Sequence, residues 1–171
     1  MAVVRVETLI RAPIERCFDL ARDPDVHTRS VAHTRERVVS RTGSGLLALG
    51  DEVTFEAVHF GVRQRLTARI TLLERPHLFE DQQVRGAFHS FTHLHRFEQL
   101  PGGTLMTDIF TFRSPLGPLG MLADRLFLID YLQRFLSERA AQLKRLAEHP
   151  PDASSPWDCE GSHERLPFND P

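Results

Sequence analysis

Two histidines, His93 and His95, stand two residues apart in the segment Phe88 to Phe97. Side chains of a strand alternate between its faces. His93 and His95 would therefore share a face with His89, Phe91 and Phe97, while Phe88, Ser90, Thr92, Leu94 and Arg96 would take the other. A turn sequence, Pro101-Gly102-Gly103, follows and reads as the bend of a hairpin. If that hairpin pairs Phe97 with Met106, His95 falls opposite Asp108 and His93 opposite Phe110. Asp108 has the parity of Met106, Phe110 and Phe112, and a carboxylate on such an apolar face needs a donor. A histidine opposite supplies one, and its pKa rises in return. Such a pair is chemically able to move protons near neutral pH.

Three uses of these residues are open. The histidines are satisfied groups of a core or cavity, bonded to Asp108, Gln83, Thr107 or water. Alternatively, His93, His95 and Asp108 form the polar end of a ligand pocket, since a mostly apolar pocket needs only a few placed polar groups. As a third use, the two imidazoles ligate a metal, with His59 or His89 adding a third nitrogen. Spacing alone does not complete a ligand set, so the reading expects no metal and no cofactor. Nor does the sequence show a nucleophile elbow, a phosphate loop, an H-E-x-x-H or a dinucleotide glycine fingerprint. Binding without chemistry is the simpler claim. The catalytic candidates, should there be chemistry, are His93, His95 and Asp108.

The elements that must position these residues follow from pattern. Val3 to Ile10 reads as a strand. Pro13 suits the first turn of a helix carrying Ile14, Cys17, Phe18 and Ala21 at helical spacing. Asp23-Pro24 stops it, and a second short helix runs from about Asp25 to Ala32. A strand-rich region comes next, punctuated by turns at Gly50-Asp51, Gly61, Arg75-Pro76, Gly86 and Pro101-Gly102-Gly103. Val53, Phe55 and Ala57 alternate with Glu52, Thr54 and Glu56. Val62, Gln64, Leu66, Ala68, Ile70 and Leu72 alternate with Arg63, Arg65, Thr67, Arg69 and Thr71. One buried and one wet face produce this pattern. Residues from about 119 to 148 read as one long helix with a wide apolar arc through Leu128, Leu132, Phe135, Leu136, Leu143 and Leu146. Arg139 falls inside that arc, where a stem reaching water beside a local carboxylate is the simplest account.

The order is strand, two helices, about six strands, then a long helix. It predicts an α+β layer with room for a ligand between sheet and helix. The chain has 171 residues and a net charge of −2, which suits one domain over 1–149 without a field that attracts nucleic acid. No apolar run is long enough to span a bilayer. Cys17 and Cys159, the two cysteines, make neither a disulfide framework nor a metal knuckle, so a cytoplasmic location is expected. Residues 150–171 lose all periodicity and are expected to form a disordered tail. No feature specifies an oligomeric state.

The chain resembles the START/SRPBCC superfamily, the polyketide cyclase/dehydrase and lipid-transport group. The resemblance begins at Ile10-Arg11-Ala12-Pro13 and Cys17-Phe18. It continues from Phe79 through Glu80-Asp81-Gln82-Gln83-Val84-Arg85-Gly86-Ala87-Phe88 to Phe91, His93, His95 and Phe97, then Gly103-Thr104, Asp108 and Ser114 to Gly120. It covers roughly residues 3 to 148 and looks closest to a bacterial branch with a paired-histidine strand. The resemblance implies a helix-grip fold, with a curved antiparallel sheet wrapped around a long C-terminal helix and two short helices after the first strand. It also implies a small hydrophobic or amphipathic ligand held between sheet and helix. The expected ligand-binding residues are Phe55, His59, Leu66, Gln83, Phe91, His93, His95, Asp108, Phe110, Leu132 and Phe135. The alternatives are an aromatic polyketide cyclase or dehydratase, and a regulatory or interaction domain.

Overall fold

The computed structural model describes residues 1–30, 36–59, 61–115, 117, 120 and 124–149, with Arg29, Ser30, His59 and Asp124 described by backbone alone. The tail 150–171 with Cys159, and Leu116, Pro118 and Leu119 of the motif, lie outside the described residues. Strand β1 (Ala2–Ile10) leads into helices α1 (Ile14–Ala21) and α2 (Pro24–Ser30). Six strands follow: β2 (Arg37–Arg41), β3 (Glu52–His59), β4 (Val62–Glu74), β5 (Leu78–Arg85), β6 (Ser90–Leu100) and β7 (Gly103–Arg113). Helix α3 (Ile129–Glu148) closes the order. The strands form one antiparallel sheet in the order β1-β7-β6-β5-β4-β3-β2. Because β1 and β2 lie at opposite edges, α1 and α2 must cross the open side of the sheet. This is the helix-grip arrangement.

Local chemistry accounts for the helices. In α1 the residues Ile14, Cys17, Phe18 and Ala21 are buried, the i, i+3, i+4, i+7 stripe of an amphipathic helix. Phe18 meets Phe79 and Phe97 edge-on, at centroid distances of 5.6 and 5.5 Å. Asp23 caps α2 by accepting hydrogen bonds from the backbone N–H groups of Asp25 and Val26, and Pro24 takes the first helical position, where no N–H is needed.

Helix α3 buries Leu132, Leu136, Ala140, Leu143 and Ala147. Its C-terminal half is lashed down. Arg16 donates to the terminal carbonyls of Leu146 and Ala147, groups that a helix end leaves without partners. Lys144 donates to the Leu9 carbonyl, and Glu148 accepts from the Arg11 N–H. Nearby, a side chain at Gly103 would put its Cβ 2.3 Å from the Ile10 carbonyl oxygen, so only glycine permits this approach. Small residues, Ala140 and Ala147, lie at this end. Phe135 and Tyr131 stand toward the other end, partly buried against the core and lining the cavity.

Three details differ from the sequence reading. In β4 a bulge between Ile70 and Leu72 changes the parity, so Leu72 is exposed and Leu73 packs against the core in its place. One extra residue is enough to reverse every later side chain. The expected long helix is not α-helical throughout: Gly120 is helical, Asp124–Leu128 form a π-helical turn that leaves Leu126 and Phe127 exposed, and the continuous α-helix begins at Ile129. Residues 121–123 and the last residues expected of the second helix, Val31 and Ala32, lie outside the described residues. Finally, the arginines of β4 do face outward, yet they are paired. Arg65 and Arg37 both bond the buried carboxylate of Glu56, and Arg69 bonds Glu52.

Candidate functional site

Strand β6 places Phe91, His93, His95 and Phe97 on the inner face, all buried. His89 lies before the strand and is exposed, so it cannot join the histidine pair. The β6–β7 hairpin pairs Phe97 with Met106, His95 with Asp108 and His93 with Phe110, the register implied by its turn. On the other side, β5 pairs Asp81 with His93 and Phe79 with His95. Two carboxylates thus flank two imidazoles diagonally across three strands.

Each ring reaches both carboxylates. His95 Nδ1 lies 2.5 Å from Asp108 Oδ1, and its Nε2 lies 3.4 Å from Asp81 Oδ2. His93 Nε2 lies 3.3 Å from Asp108 Oδ1, and its Nδ1 lies 4.0 Å from Asp81 Oδ2. The Nε2 atoms of both rings are buried and have no hydrogen bond of good geometry among the described residues. Phe79 stacks on the His95 ring at 4.2 Å and fixes its plane.

The electrostatics divide the two rings. Burial, then the neighbouring His95 charge, push the His93 pKa down to about 4. Burial also opposes charge on His95, but the Asp108 carboxylate and the contact with Asp81 outweigh it and raise the pKa. Burial would raise both carboxylates; the histidines beside them hold Asp81 and Asp108 below the usual range instead. The two rings are thus pushed in opposite senses, His93 toward its neutral form and His95 toward its charged form, beside two carboxylates held toward ionisation.

A cavity of about 320 Å³ lies between the sheet, α2 and the N-terminal part of α3, within the size range of small-molecule sites. Of the residues expected to bind, Phe55, Leu66, Phe91, His93, His95, Phe110, Leu132 and Phe135 line it. Two do not. Gln83 turns away and donates to the Phe88 carbonyl, which sits next to it across the bend. Asp108 stands behind the histidines and borders only a small crevice under α3. The His59 side chain lies outside the described residues.

Sequence reasoning missed Asp81 and Arg139, which line the cavity. Asp81 has the inward parity of Phe79, and an acid on an apolar face was the signal available. Arg139 was read as reaching water beside a carboxylate. It instead borders the cavity, half-buried, and has no ion pair or hydrogen bond among the described residues. The donor atoms of Asp81, His93 and His95 lie within 4.8 Å of one another, so these three are the set that could hold a metal, in place of a third histidine.

The family model described as polyketide cyclase / dehydrase and lipid transport matches residues 1–148. No curated protein matches the chain. Among solved structures, TTHA0849 from Thermus thermophilus superposes with a TM-score of 0.65 at 20% identity, covering 83% of this chain and 97% of that one. A START superfamily protein from Mycobacterium smegmatis gives 0.66 at 13% identity, covering 85% and 97%. Protein Ms6760, also from Mycobacterium smegmatis, gives 0.62 at 20%, covering 84% and 89%. At these identities the likeness is one of fold.

Proposed function

We propose that this chain, which belongs to the polyketide cyclase / dehydrase and lipid transport family, binds and carries a small hydrophobic or amphipathic molecule between its sheet and α3. The observation that carries the reading is the cavity of about 320 Å³ with a predominantly aromatic and aliphatic lining. Burying such a ligand's apolar surface is worth about 25 cal/mol per Å² before the costs of association. Asp81, His93, His95 and Arg139 supply the few polar contacts that orient it. Every lining residue among the described ones lies within the unit 1–149. Among the described residues no helix is long and apolar enough to cross a membrane. Native mass spectrometry of freshly purified protein tests the reading: a co-purifying small molecule, released on unfolding and excluded when the cavity is filled by substitution, is the expected result. A protein that takes up no apolar probe would end it.

A second reading is favoured by the contact of His95 with Asp108 at the cavity wall. His95, shifted toward its charged form by Asp108, would give a proton to a carbonyl or hydroxyl oxygen of a polyketide-like ligand while His93, shifted toward its neutral form, takes one. That is cyclase or dehydratase chemistry. Turnover by the wild type, lost in His95→Ala, is the expected sign; its absence across a panel of polyketide-like substrates leaves binding alone.

A further inference from the structure

We propose that Asp81, His93 and His95 form a site for one divalent first-row transition-metal ion, bound through Asp81 Oδ2, His93 Nδ1 and His95 Nε2, with Asp108 orienting both rings from behind. The argument rests on which nitrogen faces which carboxylate. His93 Nδ1 and His95 Nε2 both face Asp81, the carboxylate that borders the cavity. The opposite nitrogens, His93 Nε2 and His95 Nδ1, both face the same Asp108 oxygen. Histidine ligands almost always give their other ring N–H to a carboxylate or carbonyl, which sets tautomer and ring direction. Here one buried carboxylate holds His95 through Nδ1 and stands 3.3 Å from His93 Nε2, to which it makes no well-aligned hydrogen bond.

The spacing fits. Two ligands each about 2.1 Å from a shared ion stand about 3.0–3.4 Å apart at octahedral to tetrahedral angles. His95 Nε2 and Asp81 Oδ2 are 3.4 Å apart, yet Nε2 makes no well-aligned hydrogen bond. That is the relation of two ligands to a common ion more than of a donor to its acceptor. His93 Nδ1, at 4.0 Å from the same oxygen and within 4.8 Å of the His95 ligand nitrogen, must move inward to complete the set. Asp81, His93 and His95 all border the cavity and Asp108 does not, so an ion would have open positions toward a ligand and none toward the core. Two histidines and one carboxylate suit iron, zinc or manganese.

Charge is consistent as well. Asp81 and Asp108 together carry two negative charges, which a divalent ion balances with both rings neutral. Arg139 borders the same cavity, and its charge acts on Asp81 in the absence of an ion; with Asp81 engaged by the ion it is left to meet an anionic group on whatever shares the cavity.

The test uses metal alone and needs no knowledge of the organic ligand. The chelator-stripped full chain is titrated with Co²⁺, followed by visible absorption, and with Zn²⁺, followed by calorimetry. One ion per chain with nitrogen–oxygen cobalt bands is expected. Asp81→Asn and His93→Gln should each abolish saturable uptake, Asp108→Asn should weaken it about 10- to 100-fold, and His89→Ala should leave it unchanged. Imidazole NMR of the wild type gives a reading free of any folding defect: Zn²⁺ should shift the ring nitrogens of His93 and His95. Lack of saturable uptake by the wild type overturns the proposal. So do uptake unaffected by Asp81→Asn and His93→Gln, a sulfur-to-cobalt charge-transfer band, and ring shifts confined to other histidines.

Discussion

His95 and Asp108 stand directly across from each other on neighbouring strands, with Nδ1 2.5 Å from Oδ1. Both are almost wholly buried, at 2% and 5% exposed. In that setting neither group can turn to water when the other is removed. Asp108→Asn and His95→Gln should each cost about 1–3 kcal/mol, since each leaves a buried group short of its partner. The double substitution should cost less than the two together, because the contact is lost only once. Urea unfolding of the four proteins measures the coupling, and simple additivity would show that the pair acts as two independent residues.

The two histidines predict a stability maximum near pH 6.5. His93 has a folded-state pKa of about 4 against an ordinary 6.5. As pH falls between those values the unfolded chain takes up a proton that the folded chain refuses, so stability drops by something on the order of 3 kcal/mol. His95 is raised. Its contribution is full below the unfolded value and is lost as pH rises through the folded one. The depressed carboxylates Asp81 and Asp108 add stability that is lost only as pH falls below the ordinary range near 3.8. Denaturation midpoints across pH 4–9 should therefore fall on both sides. His93→Gln should reduce the acid-side fall, leaving the part due to His27, which burial also depresses, and His95→Gln should flatten the alkaline side. A wild-type profile that is flat across this range would contradict the assignment.

Ala68, buried on β4, lines the cavity. A phenylalanine there projects into open space instead of into packed neighbours, so it should fill the cavity with little cost in stability. Ala68→Phe is expected to bind the neutral dye N-phenyl-1-naphthylamine at least about 10-fold more weakly, with a melting temperature equal to or above that of the wild type. Undiminished dye binding would place the dye elsewhere on the protein.

Arg139 borders the cavity with up to five N–H donors, and its charge acts on Asp81 across that cavity. A charge-assisted contact in a desolvated site is worth about 1.5–3 kcal/mol. Decanoate should therefore bind about 10-fold or more tightly than decanol, and Arg139→Met should abolish that preference while leaving decanol unaffected. Competition against a bound dye reads both ligands. Equal preference in the two proteins would remove Arg139 from ligand recognition.

Much of this site follows from local pattern. The alternation Phe91, His93, His95, Phe97 and the turn at Pro101-Gly102-Gly103 put both histidines on the inner face and brought His95 opposite Asp108, because hairpin register depends on a short loop and on parity. The amphipathic stripes of α1 and α3, and the strand count, likewise come from residues close in sequence. What required the fold is whatever depends on residues distant along the chain. Asp81 reaches the histidines only because β5 pairs with β6 in a register set through a longer connection, Gly86 to His89, where His89 itself is turned outward. The bulge after Ile70 leaves no local signature, so Leu72 and Leu73 exchange places without warning from the alternation. Arg139 reads from sequence as a surface cation. Its position over the cavity is decided by how α3 sits, held down at Arg16, Lys144 and Glu148 with Phe135 and Tyr131 lining the cavity. A cavity is the space between elements, and no single element's sequence contains the distance to its neighbour.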